Sequence, residues 1–209
     1  MYLPDMFAVT DAHDVEAVLR NARLGCLVTR DTEGFFGTHI PMIFDAERRS
    51  LVGHISRANP HPDRSGDGEA QVIFQGLNAY VSPSWYPSKQ EHGRVVPTWN
   101  YEVAHVTGKL SWRDDPKWLR EQLDKLTARF ESGRPEPWAM SDAPDDYLAR
   151  QVASVIGIEL QVREVRVKRK LSQNRSVKDR EGVVAGLSDS SAPSDQLLAA
   201  VMAETSAGL

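Results

Sequence analysis

Four short segments combine rings, hydroxyls and cations in a way that plain structure seldom needs. "AYVSPSWYPSK" (79–89) places Trp85 and Tyr86 among Ser82, Ser84, Ser88 and Lys89, with Pro83 and Pro87 between them. Rings can stack on or border a flat ligand, and hydroxyls with an ammonium can meet its polar tails. "GHISRANP" (53–60) ends an apolar stretch in His54, Ser56, Arg57 and Asn59. A guanidinium beside a hydroxyl binds a phosphate with directional hydrogen bonds. "VPTWNYEVAH" (96–105) repeats the mixture with Thr98, Trp99 and Asn100, and "KRKLSQNRS" (168–176) sets Lys168, Arg169 and Lys170 before Ser172 and Gln173. Each segment alone has a plainer reading: an Asn-Pro turn at a strand end, aromatic cover for a core, or a solvated basic turn. Together they suit a flat, phosphorylated ligand.

Other chemistries find less support. The sequence contains no G-x-x-x-x-G-K-[ST], no G-x-G-x-x-G and no G-x-S-x-G, so phosphate-loop, Rossmann and hydrolase-elbow sites are not indicated. The six histidines lack zinc spacing, and no metal site is expected. His54 and His105 read as strand histidines with structural hydrogen bonds rather than as general acids or bases. Cys26 is the single cysteine, so no intramolecular disulfide can form, and "RLGCLVTR" makes it a small strand residue.

The elements that must position these segments follow from pattern. A chain of 209 residues with 41% hydrophobic and 26% charged residues suits one globular domain with appended helices. The net charge of -4 opposes a surface built throughout for nucleic acid, although the run 163–180 is locally basic. "MYLPDMFAV" lacks the marks of a signal peptide, and no apolar run approaches the roughly 20 residues of a membrane span, so a cytoplasmic protein is expected.

Asp11 can cap a helix bearing Val15, Val18, Leu19 and Ala22. Strand signals follow: "CLVTR" and "FFGTHIPMI" around the turn "DTEG", then "SLVGHIS", "AQVIFQG", "AYVSPSWY", "RVVPTWNY" and "VAHVTGKLSW". Pro83 and Pro87 imply an edge or bulged strand, and Gly93 with Arg94 a hairpin tip. The spacing leaves no room for crossover helices. A mainly β fold with helices (α+β), antiparallel and closed into a barrel, is therefore expected. Asp115-Pro116 starts one helix, a second runs from about Pro144, and "SVIGIELQV" returns as a strand. "DSSAPSD" reads as a linker and "QLLAAVMAE" as a short terminal helix, giving a domain over 1–187 and an appendage over 188–209.

The segments "MYLPDMF", "GHISRANP", "AYVSPSWYPSK", "VPTWNY" and "KLSQNRS", in this order over roughly 1–187, resemble the PaiB-type FMN-binding negative transcriptional regulators. That resemblance implies a split β-barrel related to pyridoxamine-phosphate oxidases and flavin reductases, assembled as a homodimer with FMN between the subunits. It implies cofactor contacts at His54, Ser56, Arg57 and Asn59, at Ser82, Ser84, Trp85, Tyr86 and Lys89, at Thr98, Trp99 and Asn100, and at Lys170, Ser172 and Gln173. The chain departs from the family's pattern at Val167, Arg169 and Phe130, and "HPDR" follows "ANP" where a tryptophan is common. The name of the family implies transcriptional repression, with the basic run as the DNA-facing surface. The alternative is a flavin-dependent oxidoreductase that draws hydride from NADH or NADPH for a small acceptor. A barrel that has lost its cofactor is the plainest reading.

Overall fold

The computed structural model describes residues 1–206. Among them the strands are β1 (Ala8–Val9), β2 (Leu24–Asp31), β3 (Gly34–Asp45), β4 (Ser50–Ser56), β5 (Gly68–Val81), β6 (Thr98–Arg113) and β7 (Val155–Lys170). The helices are α1 (Ala12–Asn21), α2 (His61–Ser65), α3 (Ser88–His92), α4 (Pro116–Glu131), α5 (Asp145–Ala153), α6 (Val177–Ser188) and α7 (Pro193–Ser206). The sheet runs β1-β7-β4-β3-β2-β5-β6, and a further β6–β7 pairing closes it, as expected from the strand spacing. Every pairing with a defined register is antiparallel.

The chain divides into two compact units, one of Val15–Phe74 and His105–Val165, the other of Met1–Asp14, Gln75–Ala104 and the chain from Arg166 onward. In the first, the barrel unit, β2 and β3 form a hairpin in the register Asp31↔Gly34. Gly34 takes φ 123°, open to glycine and strained for any other residue. Alternate positions of the strands point inward, so Leu27, Ile40, Met42, Leu51, Val72, Val106, Ile158 and Leu160 make a dry core. Asp115 caps α4 by accepting from the Trp118 amide at 2.7 Å, with Pro116 at the first helical position. The terminal unit has a core of its own, in which Ala79, Val81, Tyr86 and Leu171 pack with Val183 and Leu187 of α6 and Leu198, Ala199 and Met202 of α7.

Five expectations change in detail. "AQVIFQG" and "AYVSPSWY" are not separate strands; β5 runs unbroken from Gly68 to Val81, because Gly76 and Asn78 stay extended. In the same way Thr98–Arg113 is one strand, and Arg94–Pro97 lies outside it. The proline-rich stretch is not a bulged strand. Strand β5 stops at Val81, Pro83 opens a 3-10 turn capped by Ser82, and Pro87 precedes α3, where fixed φ and a missing N–H cost nothing. Gly93 is accordingly no hairpin tip: at φ 66° it closes α3, its N–H donating to the Lys89 carbonyl. Finally α6 was not foreseen, and only residues 189–192 separate it from α7.

Candidate functional site

In the terminal unit, the end of β5, the turn after it, the start of β6 and the end of β7 gather eleven of the anticipated residues. Trp99 is 53% exposed and Tyr80 47%, and their rings meet edge to face with centroids 6.1 Å apart. Strand alternation explains the exposure: Trp99 faces out while Asn100, the next residue, is fully buried. Lys170 donates to the Trp99 carbonyl at 2.6 Å and to the Thr98 hydroxyl. Burial lowers its pKa, Tyr101 raises it, and Lys168 and Arg175 lower it further. The Ser84 amide donates to the Ser82 hydroxyl at 3.2 Å, and Lys89 reaches the Ser84 hydroxyl at 3.3 Å. Serines, lysines and an exposed pair of rings thus lie in one unit.

Several of the anticipated residues build this arrangement instead of facing outward. Tyr86 is buried with the Arg175 guanidinium 4.8 Å over its ring. Trp85 rests on α6, whose Gly182 and Gly186 leave room for its backbone and ring. Asn100 Nδ2 donates to the Ser172 hydroxyl at 3.0 Å, which holds Ser172 at φ 63°, a left-handed conformation uncommon outside glycine. Gln173 closes the same turn, accepting from the Leu171 amide at 2.7 Å and donating to the Arg169 carbonyl at 2.6 Å. Residues absent from the sequence-level set also contribute: Tyr80 supplies half of the ring pair, and buried Asp179 accepts from the Ser88 hydroxyl at 2.8 Å. Tyr80 could have been found from the alternation of β5; Asp179 left no local signal.

In the barrel unit, β4 ends in the second set. The Arg57 guanidinium is clamped: it donates to both oxygens of Asp114 and, at 2.9 Å each, to the carbonyls of Ala153 and Val155. The pairing raises the Arg57 pKa and lowers that of Asp114. Ser56 is exposed, and Asn59 accepts from the His61 amide at 2.9 Å, just ahead of α2. His54 lies in a crevice too narrow for water beside Trp118 and Gln122, where burial lowers its pKa. His61, unselected from sequence, is fully buried with Thr29 and Thr38 hydroxyls at 2.8 and 2.7 Å from its two nitrogens.

The basic run is largely engaged. Arg163 pairs with Glu69 at 2.7 Å and Arg169 pairs with Glu102. Lys168 is buried, donates to the Tyr2 carbonyl at 3.2 Å and lies within 6.0 Å of the Tyr2, Phe7 and Tyr101 ring centroids. No helix among the described residues is long and apolar enough to cross a membrane.

Residues 1–164 match the family model described as "Putative FMN-binding domain". The chain belongs to this FMN-binding family. Within it, the chain is 29% identical over 205 residues to the protease synthase and sporulation protein PAI 2 of Bacillus subtilis, covering 97% of this chain and 96% of that one. Two solved structures share the fold with a TM-score of 0.60 each. The FAD and heme binding protein from Mycobacterium smegmatis is 18% identical over 86% of this chain and 80% of its own. The flavocytochrome Anf3 from Azotobacter vinelandii is 14% identical over 84% of this chain and 75% of its own. The fold is the split barrel of flavoproteins, and the cofactor of this FMN-binding family member is FMN. The residues present fit that group: exposed rings suit a flat tricycle, and hydroxyls with lysine or arginine suit a phosphate.

Proposed function

We propose that this chain is an FMN-dependent oxidoreductase of the nicotinamide-to-small-acceptor class. The observation that carries this over direct repression of transcription is the engagement of the middle of the basic run, whose Lys168, Arg169 and Lys170 already have partners within the protein. A DNA surface needs cations free to replace phosphate counterions. FMN supplies the two-electron chemistry when bound, so the protein's part is binding, orientation and control of water.

On this reading Trp99 borders the ring, together with the edge of half-buried Trp85 that α6 leaves uncovered, and Ser82, Ser84, Lys89, Thr98 and Lys170 hold polar groups. Tyr86, Asn100, Ser172 and Gln173 keep the turns that carry them in place. Ser56, Arg57 and Asn59 form the second set, with His54 behind them. Arg57 serves a phosphate only if it loosens from Asp114. Lys170→Gln and Arg57→Gln therefore tell which set holds the phosphate: the variant that loses FMN affinity tenfold or more, the scale of one charged hydrogen bond (about 1.5–3 kcal/mol), identifies it. Unchanged affinity in both removes the residue assignment.

The function is tested by mixing the FMN-loaded protein anaerobically with NADH or NADPH. Rapid bleaching of the visible flavin band, reversed by an acceptor, is the expected outcome; inertness to both rejects catalysis. The second reading, a regulator, is favoured by the likeness to PAI 2 over nearly the whole chain. It gains support if duplex DNA is retained in a salt-dependent manner that Lys168, Arg169 and Arg175 substitutions abolish. A homodimer is part of the proposal, with the exposed Tyr80–Trp99 pair as the face to be covered. Light scattering at a monomer mass removes that part.

A further inference from the structure

A cleft of about 250 Å³ opens in the barrel unit where α4, α5 and the end of β4 converge. Its walls are Pro116, Leu119, Ala149, Val152 and Ala153, all apolar, so a ligand body that enters it leaves water for hydrocarbon. Three charged groups line the same space: Arg57, Asp114 and Arg120, two guanidiniums against one carboxylate, one positive charge in excess. They are not equivalent. Both Asp114 oxygens are engaged by Arg57, which also bonds two carbonyls, so this pair forms a fixed, neutralised wall. Among the described residues Arg120 is held only by a long 3.5 Å contact to Asp145, and both side chains are at least half exposed, at 52% and 94%. An exposed pair of that kind contributes little and yields readily to a better acceptor.

We infer that this cleft is a binding site for a small monoanion with a compact apolar body, an aryl or short-chain alkyl carboxylate, whose head group is taken by Arg120. The volume lies just below the usual range for drug-sized ligands and suits a single ring with a short carboxylate arm. A guanidinium reads a carboxylate bidentately, and the apolar walls reject hydrophilic anions of the same charge. None of the apolar wall residues, nor Arg120, belongs to the sets proposed for FMN; Arg57 alone is shared, and the inference rests on its staying paired with Asp114.

The probe is phenylacetate, added to the full FMN-loaded chain and followed by methyl NMR of Leu119, Ala149 and Val152. Saturable shifts at these methyls are expected, at concentrations near about 1 mM for a ligand of so few atoms. Arg120→Gln should weaken binding roughly tenfold, as should replacing the probe by 2-phenylethanol, which lacks the charge. Ala149→Leu, which fills the cleft with apolar atoms, should abolish the shifts while flavin content stays unchanged. The inference is overturned if phenylacetate gives no saturable shifts at these methyls. Equal affinity in Arg120→Gln overturns the assignment of the anion, and shifts that appear in the FMN-free chain and vanish on loading it with FMN overturn the claim that this site is separate from the cofactor's.

Discussion

Two buried side chains in the barrel unit carry predictions that belong to single residues. His61 has both ring nitrogens bonded to threonine hydroxyls, with Phe36 edge-on at 4.9 Å and Trp112 at 5.5 Å. Burial lowers its pKa below the ordinary 6.5; the nearby Arg64 guanidinium adds to that, and Asp31 opposes it. Since the unfolded chain binds the proton first, the His61 contribution to stability is fully present above 6.5 and is lost as pH falls towards the native value. His54 acts in the same direction through burial, whereas Asp31, Asp45 and Asp114, whose pKa values are lowered, add their losses only below 3.8. Urea midpoints should therefore fall between about pH 7 and about pH 5, and His61→Gln should flatten part of that fall. An identical slope in the variant rules out His61 as the source. Gln122 poses the opposite problem. It is 5% exposed, and neither of its side-chain amide atoms has a hydrogen-bond partner among the described residues. A buried, unpaired amide costs about 1–3 kcal/mol, so Gln122→Leu, with apolar neighbours Leu119, Leu123 and Leu126, should stabilise by about 1–2 kcal/mol. Loss of stability in that variant would mean the amide finds a partner in solution.

Among elements, α6 shows how packing overrides a local preference. Glycine inside a helix is unfavourable by about 0.5–1 kcal/mol relative to alanine, so Gly182→Ala and Gly186→Ala would stabilise an isolated helix. Here a Cβ on Gly182 would come within 2.0 Å of the Trp85 carbonyl oxygen, and one on Gly186 within 2.3 Å of the Trp85 ring. Each substitution should instead cost about 1–3 kcal/mol, the scale of overpacking. In a Trp85→Ala background the Gly186 change should turn neutral or favourable, which a double-mutant cycle on urea midpoints resolves. Additive effects would separate the glycine from the ring. The same contact explains why α6 escaped the sequence reading: its two glycines interrupt the apolar face that would have marked it. By contrast, α4 was legible because its start signal is local, Asp115 bonding the Trp118 amide with proline behind it. Strand β5 was read as two because Gly76 is a breaker in most contexts, while here it lies against Glu102, its Cβ position 3.2 Å from that side chain.

At the scale of the whole molecule, what was legible is the class of fold; what was not is which anticipated group faces outward. In sequence Arg57 is a cation with a hydroxyl beside it, yet its clamp depends on Asp114, 57 positions away, and on carbonyls brought up by α5 and β7. Contacts of that separation leave no trace in a local pattern. The C-terminal segment is a further case. Expected as an appendage after a linker, it lies in the terminal unit, where Leu198, Ala199 and Met202 of α7 are at most 2% exposed against Ala79, Val81, Tyr86 and Leu187. Met202 also carries the sulfur that the Asn100 amide approaches at 3.4 Å, on the residue that fixes Ser172. Leu198→Ala should therefore cost about 2–5 kcal/mol, as for other leucines removed from full burial. Ending the chain at Ala192 should expose this core to a hydrophobic dye and strip hydrogen-exchange protection from α6 and the amide of Tyr86. Because Trp85 and Lys89 flank Tyr86, the truncated chain should also hold FMN more weakly, although none of the removed residues is proposed to touch it. Unaltered protection and flavin affinity after truncation would return α7 to the status of an appendage and leave the Trp85 turn supported by α6 alone.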